Sequence, residues 1–127
     1  MNFVHPPDKQ HYDEQVWAIA RQIPFGKVFP YGKIANLIPQ PTEVSDEDYR
    51  MSASRWVGLA MAACPGDVPW HRVVNAQGKI SKRSEPGKQK MLLEAEGVLL
   101  VEDKINLDEY LWVGPGKSEA PEQGRLF

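Results

Sequence analysis

The sequence predicts an α+β fold that is mainly helical, a winged-helix-like arrangement with a helix-turn-helix at its centre and a small hairpin as the wing. Two observations lead to this prediction. Segments with helical spacing of apolar residues are separated by proline and glycine breakers, and the turn motif Asn75-Ala76-Gln77-Gly78 stands between two short β-favouring pairs. The chain has 127 residues, which we interpret as one domain over 1–113 and a flexible tail over 114–127.

The first helix is predicted over residues 10–23, where apolar residues recur at helical spacing. Pro24 and Gly26 follow and would end it in a turn. Trp17 on the helix and Phe25 in the turn are expected to belong to the core.

The helix-turn-helix prediction comes from the next two helical segments. The first covers residues 31–38, and the second runs to Ala63 from an N-cap at Ser52 or Ser54. The residues between them are expected to form a loop or an irregular helix start, whose acidic part, 43–48, could repel phosphate or form a partner surface. One face of the second helix is predicted to hold Trp56, Leu59 and Ala60.

The second half of the chain is predicted to contain the hairpin, a further helix and a short strand. Residues 73–74 and 79–80 flank the turn motif and would pair as the strands of the hairpin. A helix over 88–96 and an apolar strand over 98–101 follow, and Asn106 could cap the last helical turn.

Charge is distributed unevenly along the chain. The net charge of −2 and the pI of about 5.9 argue against a protein that coats nucleic acid without specificity. Residues 71–90, however, contain six basic residues and one acid, whereas residues 94–127 contain eight acids and three basic residues. A basic face on an acidic body fits a protein that contacts phosphate in one place, although for the lysines alone an ordinary solvated surface is the first interpretation.

The composition argues against several kinds of site. Cys64 is the only cysteine, which excludes an intramolecular disulfide and a cysteine-rich zinc site. His5, His11 and His71 lack the spacing of metal ligands, so we expect neither a metal nor a cofactor. We find no apolar run of membrane-spanning length and no signal-peptide pattern, so we expect an intracellular protein without a membrane partner.

The hexapeptide Pro69-Trp70-His71-Arg72-Val73-Val74 is the most distinctive stretch of the chain. It resembles the Pro-Cys-His-Arg-Val active site of O6-alkylguanine-DNA alkyltransferases, whose cysteine accepts the alkyl group. Trp70 stands at the position of that cysteine, and an indole offers only an N–H donor and no thiolate. The chain therefore resembles the alkyltransferase-like family, whose members bind the lesion without repairing it and flag it for another pathway.

Two further motifs extend this resemblance over residues 11 to 113. Residues 26–28 together with Tyr31 match a segment whose tyrosine helps to rotate the target nucleotide out of the duplex. Residues 54–61 match a recognition helix whose arginine, here Arg55, enters the minor groove and fills the gap left by the base. Trp56 stands where the family usually has a small residue. The DNA-binding residues that the resemblance implies are Tyr31, Ser54, Arg55, Gly58 and Arg72.

The resemblance also implies a pocket for the alkylated guanine, with no catalytic residue. The indole of Trp70 would pack against the O6-alkyl group without attacking it. Residues 80–84 would form a lid whose arginine, Arg83, makes a cation–π contact with the base. The pocket residues implied are Tyr31, Met61, Pro69, Trp70, Val73, Arg83 and Ser84.

Three polar residues around the pocket are expected to have supporting roles. His71 and Glu96 match the histidine and glutamate that activate the cysteine in alkyltransferases, and without a thiol they would remain as a structural pair. Arg72 would either brace the site or contact phosphate.

The implied partners are duplex DNA containing O6-alkylguanine and the proteins of nucleotide excision repair, and we expect a monomer. We expect it with the nucleoid in the cytoplasm of a bacterium or in the nucleus of a eukaryote. One alternative is alkyl transfer to Cys64, although this thiol precedes Pro65-Gly66 in a turn and has no neighbouring base in sequence. Another is a winged-helix transcription regulator, which would need more long polar side chains on the second helix.

Overall fold

The computed structural model describes residues 5–80 and 87–116. Within these ranges it contains five α-helices, one 3-10 turn and four two-residue strands. In chain order they are α1 (Lys9–Ala20), β1 (Phe29–Pro30), α2 (Tyr31–Leu37), α3 (Asp46–Ala62), the 3-10 turn (Trp70–Arg72), β2 (Val73–Val74), α4 (Lys88–Ala95), β3 (Leu100–Val101), β4 (Lys104–Ile105) and α5 (Leu107–Tyr110). The predicted class, a mainly helical α+β fold with α2 and α3 as the helix-turn-helix, is confirmed.

Helices α1, α2 and α3 pack around Trp56, whose side chain is buried. Its ring makes edge-to-face contacts with Tyr12 at 5.5 Å and Tyr49 at 5.9 Å between centroids. The Tyr49 hydroxyl donates a hydrogen bond to the carbonyl of Ala35 at 2.8 Å and lies 2.9 Å from the Tyr12 hydroxyl, which joins all three helices. Burial, and then the bond to Tyr49, raise the pKa of Tyr12, so this polar pair stays neutral inside the core.

Helix α3 begins earlier than the sequence analysis predicted. Its N-cap is Ser45, whose hydroxyl accepts a hydrogen bond from the Asp48 N–H at 3.1 Å. The acidic residues 46–48, predicted as part of a loop or an irregular helix start, form the regular first turn, where the helix dipole favours negative charge. The predicted N-cap at Ser52 or Ser54 is therefore wrong.

Two predictions about the first helix also need correction. Helix α1 is capped by Asp8 and ends at Ala20, earlier than predicted. Phe25, expected in the core, is 68% exposed. Trp17 does pack against the core, and its indole N–H donates to the carbonyl of Ala60 at 2.8 Å.

Strand pairing differs from the predicted wing. Strands β1 and β2 pair in parallel, with Phe29 opposite Val73 and Pro30 opposite Val74. The turn after β2 is present, but Lys79 bridges to β4 instead of pairing with β2, and the antiparallel hairpin is formed by β3 and β4. The valines of β2 are instead paired with β1, and the residues of both strands are buried.

A second, smaller core lies under α4 and the hairpin. Its fully buried members are Val28, Val74, Leu93, Val98 and Ile105. The predicted helix over 88–96 is confirmed to within a residue, and so is the cap at Asn106, whose side chain accepts from the Asp108 N–H at 3.0 Å. Throughout 5–80 and 87–116, no helix has the length and hydropathy needed to cross a membrane.

Candidate nucleic-acid interface

The pairing of β1 with β2 brings together two of the implied pocket segments. Tyr31 opens α2 directly after β1, and Trp70 opens the 3-10 turn that leads into β2. Both aromatic side chains are half-buried and pack against the core around Trp56, which we call the first core. These residues are far apart in sequence, and the strand pairing places their segments side by side.

Glu96, the C-cap residue of α4, holds these segments in place through a buried cluster of hydrogen bonds. Its carboxylate accepts from the Gly26 N–H at 2.9 Å and from the Arg72 Nε and Nη2 at 3.0 and 2.8 Å. His71 Nε2 lies 2.6 Å from the same carboxylate. We call Gly26, His71, Arg72 and Glu96 the Glu96 cluster. It ties the turn after α1, the 3-10 turn and the end of α4 to one another.

The Glu96 carboxylate is ionised in this setting. Burial alone would raise its pKa, but the hydrogen bonds from Arg72, Gly26 and His71 outweigh burial and lower the pKa from 4.5 to about 2. An ionised carboxylate only accepts hydrogen bonds, so His71 Nε2 carries the proton that it shares with Glu96. The structure thus brings the predicted pair of His71 and Glu96 together, with Arg72 as a third member.

Arg72 is committed to the interior of the molecule. Besides its bonds to Glu96, its Nη1 donates to the carbonyl of Ile23 at 2.8 Å, and its guanidinium lies 5.8 Å from the ring centroid of Phe25. The Arg72 side chain is only 16% exposed. Of the two roles left open by the sequence, the geometry supports bracing of the site and gives no support to the predicted DNA contact.

Gln89 is a positioning residue that the sequence analysis missed. It is buried on α4, and its side-chain amide donates to the carbonyls of His71 and Val73 at 3.0 and 3.1 Å. It shares one helical face with Leu93 and Glu96, at spacings of four and three residues. A polar residue on the apolar face of a predicted helix was the available signal.

The exposed face of α3 carries the other predicted DNA-binding residues. Ser54 and Arg55 are exposed, and Arg55 has no ion pair within the described part of the chain. A Cβ atom at Gly58 would meet no other atom within 4 Å, so this face is open to an approaching ligand. Met51 and Leu59, one turn before and after Arg55, are 75% and 40% exposed, and the prediction that Leu59 lies on the buried face is wrong.

The remaining predicted pocket residues differ in their accessibility. Met61 and Val73 are buried in the first core, and Pro69 is half-buried beside Trp70. Arg83 and Ser84 lie outside the described residues. The ranges 5–80 and 87–116 contain no group of three or more histidine, cysteine or acidic residues that could hold a metal ion.

Comparison with known families assigns this arrangement to a class of protein. The model of the 6-O-methylguanine DNA methyltransferase, DNA binding domain, matches residues 11–98. The chain therefore belongs to this family, as one of its alkyltransferase-like members.

Relatives and solved structures agree with this assignment. The chain is 41% identical over 102 residues to a DNA base-flipping protein of Vibrio parahaemolyticus, across 77% of this chain and 92% of that protein. It is 41% identical over 108 residues to alkyltransferase-like protein 1 of Schizosaccharomyces pombe, across 77% of this chain and 91% of that protein. The crystal structure of S. pombe Atl1 in complex with damaged DNA containing O6-carboxymethylguanine matches with a TM-score of 0.64 at 37% identity, over 81% of this chain and 95% of that chain.

The match to a methyltransferase is shorter on the other protein's side. Mycobacterium tuberculosis O6-methylguanine methyltransferase matches with a TM-score of 0.53 at 34% identity, over 67% of this chain but only 47% of that chain. The shared part is the DNA-binding fold.

Proposed function

We propose that this protein recognises damaged DNA without repairing it: it binds O6-alkylguanine in duplex DNA through the minor groove and turns the base into a pocket beside Trp70. One observation carries the proposal. Trp70 lies directly before His71 in the 3-10 turn, at the position of the reactive cysteine in the Pro-Cys-His-Arg-Val motif. An indole has no thiolate to accept an alkyl group, so the base can be bound there but not dealkylated.

The Glu96 cluster keeps a structural role in this proposal. In a transferase, the histidine takes a proton from the nucleophile while a carboxylate holds its other ring nitrogen. Here Glu96 engages the Nε2 of His71 and accepts hydrogen bonds from Arg72, but Trp70 offers no thiol to deprotonate. The cluster therefore holds the 3-10 turn in place, and Trp70 with it.

The exposed face of α3 supports base flipping. Arg55 has a planar, permanently charged guanidinium that can stack in the gap and donate to the unpaired base, and no ion pair with another described residue competes for it. Unstacking a base costs on the order of a few kcal/mol, which contacts from Arg55 and Tyr31 would offset. The name of the Vibrio relative, DNA base-flipping protein, and the complex of Atl1 with damaged DNA support the same function.

The wider part of the proposal rests on the family resemblance. It comprises handover of the lesion to nucleotide excision repair proteins, action as a monomer without cofactor, and location with the DNA in the nucleoid or the nucleus.

The test is a titration of the protein into a duplex with one O6-methylguanine and into the unmodified duplex at one fixed salt concentration. The recovered DNA is then digested and the lesion is quantified. We expect tighter binding to the modified duplex and full recovery of the lesion. Equal affinity for both duplexes would refute the proposal and favour a transcription regulator.

The variant Cys64→Ala separates the proposal from the enzymatic alternative. Cys64 lies just after the C-cap of α3 and is half-buried. We expect this variant to bind the lesion as the natural protein does. Loss of the methyl group with the natural protein, abolished by Cys64→Ala, would instead establish a transferase.

A further inference from the structure

A groove of about 500 Å³ lies between α2 and the N-terminal half of α3, next to the exposed face that carries Arg55. Its lining includes Gly32, Lys33, Asn36, Arg50 and Ser54. We propose that this groove holds the sugar–phosphate backbone beside the flipped nucleotide, with Lys33 and Arg50 contacting its phosphates. The inference rests on the proposed function and adds a second contact region to it.

The groove is continuous with the predicted DNA-binding residues. Ser54 forms part of its wall and precedes Arg55, while Gly32 in the facing wall follows Tyr31. A Cβ atom at Gly32 would lie 3.5 Å from the Ser54 hydroxyl oxygen, which shows how closely the two helices approach there. A DNA strand that contacts Tyr31 and Arg55 would therefore pass directly into the groove.

Arg50 is available only because α3 begins at Asp46. It lies one helical turn before Ser54 and on the same face, since residues four apart are neighbours on a helix. The longer helix therefore aligns a second arginine with the contact residues of the recognition helix.

The chemistry of the groove suits a phosphodiester. Lys33 and Arg50 are exposed cations, and neither forms an ion pair with any residue in the described ranges. The Asn36 amide and the Ser54 hydroxyl add neutral donors, and such a mixture of cations, amides and hydroxyls is what typically contacts DNA phosphates.

One acid also lines the groove and limits where phosphate can bind. Asp46 lies in the first turn of α3, and its carboxylate accepts a hydrogen bond from the Gln40 side chain at 2.9 Å. Its charge disfavours an anion at that end of the groove. The proposed phosphate contacts are therefore those of Lys33, Arg50 and Ser54, on the side toward Arg55.

The experiment measures affinity for the O6-methylguanine duplex and for the unmodified duplex at several salt concentrations. Lys33→Ala and Arg50→Ala are compared with the natural protein and with Lys104→Ala, which removes an exposed lysine of β4 outside the groove. The slope of log affinity against log salt is negative, and each groove variant should reduce its magnitude by about 0.9, the value for one lost phosphate contact. Each groove variant should also lower the affinity for both duplexes by the same factor, because a phosphate contact does not distinguish one base from another.

Two further results complete the test. Asp46→Asn should tighten binding to both duplexes, because it removes the opposing charge. Groove variants that bind with the same affinity and slope as Lys104→Ala would overturn the inference while the lesion preference of the natural protein stands. If the natural protein shows no lesion preference but the groove variants still lower the slope, the groove is a DNA contact and the proposed function is the part that fails.

Discussion

Arg72 and Arg55 carry the same guanidinium group, but the first is mostly buried in hydrogen bonds and the second is exposed on the surface. The Arg72 guanidinium is used inside the molecule, with Nε and Nη2 on Glu96 and Nη1 on the Ile23 carbonyl. Arg55 is exposed on α3 and has no ion pair within 5–80 and 87–116. An arginine that holds the scaffold has its donors satisfied within the fold, whereas one proposed to act on DNA keeps them free. The two residues should therefore fail in different ways when they are replaced.

The largest effect is expected for Arg72→Ala, measured as the free energy of unfolding in urea at neutral pH. The substitution leaves the Glu96 carboxylate buried without its main partner, and loss of one member of a buried ion pair costs about 3–5 kcal/mol. Arg72→Lys should lower the free energy of unfolding by only part of this amount, because an ammonium keeps the charge but cannot form the forked contact. A loss below about 1 kcal/mol for Arg72→Ala, the range of a surface pair, would show that Arg72 does not brace the site.

The pH dependence of stability gives the next largest effect and isolates Glu96. Its pKa in the folded protein is about 2, below the usual 4.5, so its contribution is fully present above pH 4.5 and is lost as the pH falls toward 2. A shift of this size corresponds to about 3 kcal/mol. The stability difference between the natural protein and Glu96→Gln should therefore shrink across this window.

Glu94→Gln on an exposed position of the same helix is the matched control, and it should remain close to the natural protein at every pH. A constant difference between the natural protein and Glu96→Gln from pH 4.5 to pH 2 would contradict the lowered pKa of Glu96.

Local signals in the sequence were enough for the helix-turn-helix, for α4 and for the Asn106 cap, because periodicity and capping act over a few residues. They were not enough for the pairing of Phe29 with Val73, which joins segments far apart in the chain and is favoured by burial on both sides. The regular start of α3 at Asp46 was not predicted, because an acidic run fits a loop or an irregular helix start as well as a first helical turn, although Ser45 precedes it as a cap.

The candidate site shows the same division. The motifs singled out Trp70, Arg55 and Glu96 by residue type and order. Which arginine is free and which is bound depends on tertiary contacts, so the two possible roles of Arg72 could be separated only in the structure.

Arg55→Ala should show the complementary pattern to Arg72→Ala. The unfolding free energy should change by no more than about 0.5 kcal/mol, as for an ordinary surface position. Affinity for the O6-methylguanine duplex should fall by about 2 kcal/mol, roughly 30-fold, in the range of a well-placed arginine contact to a base. Arg55→Lys should recover only part of this loss, because an ammonium cannot stack. A variant that binds the lesion normally would remove Arg55 from the mechanism.

The smallest effect is expected for the exposed apolar residue one turn after Arg55. Leu59 is 40% exposed, and the walls of the minor groove are formed by apolar sugar surfaces that would cover it. Leu59→Ser should therefore leave stability nearly unchanged and weaken binding to both duplexes by up to about 1 kcal/mol, roughly five-fold. Leu99→Ser is the control, since Leu99 is 68% exposed but precedes β3 instead of lying on α3. Equal affinities for these two variants would mean that the exposed apolar side chain of Leu59 does not contact DNA.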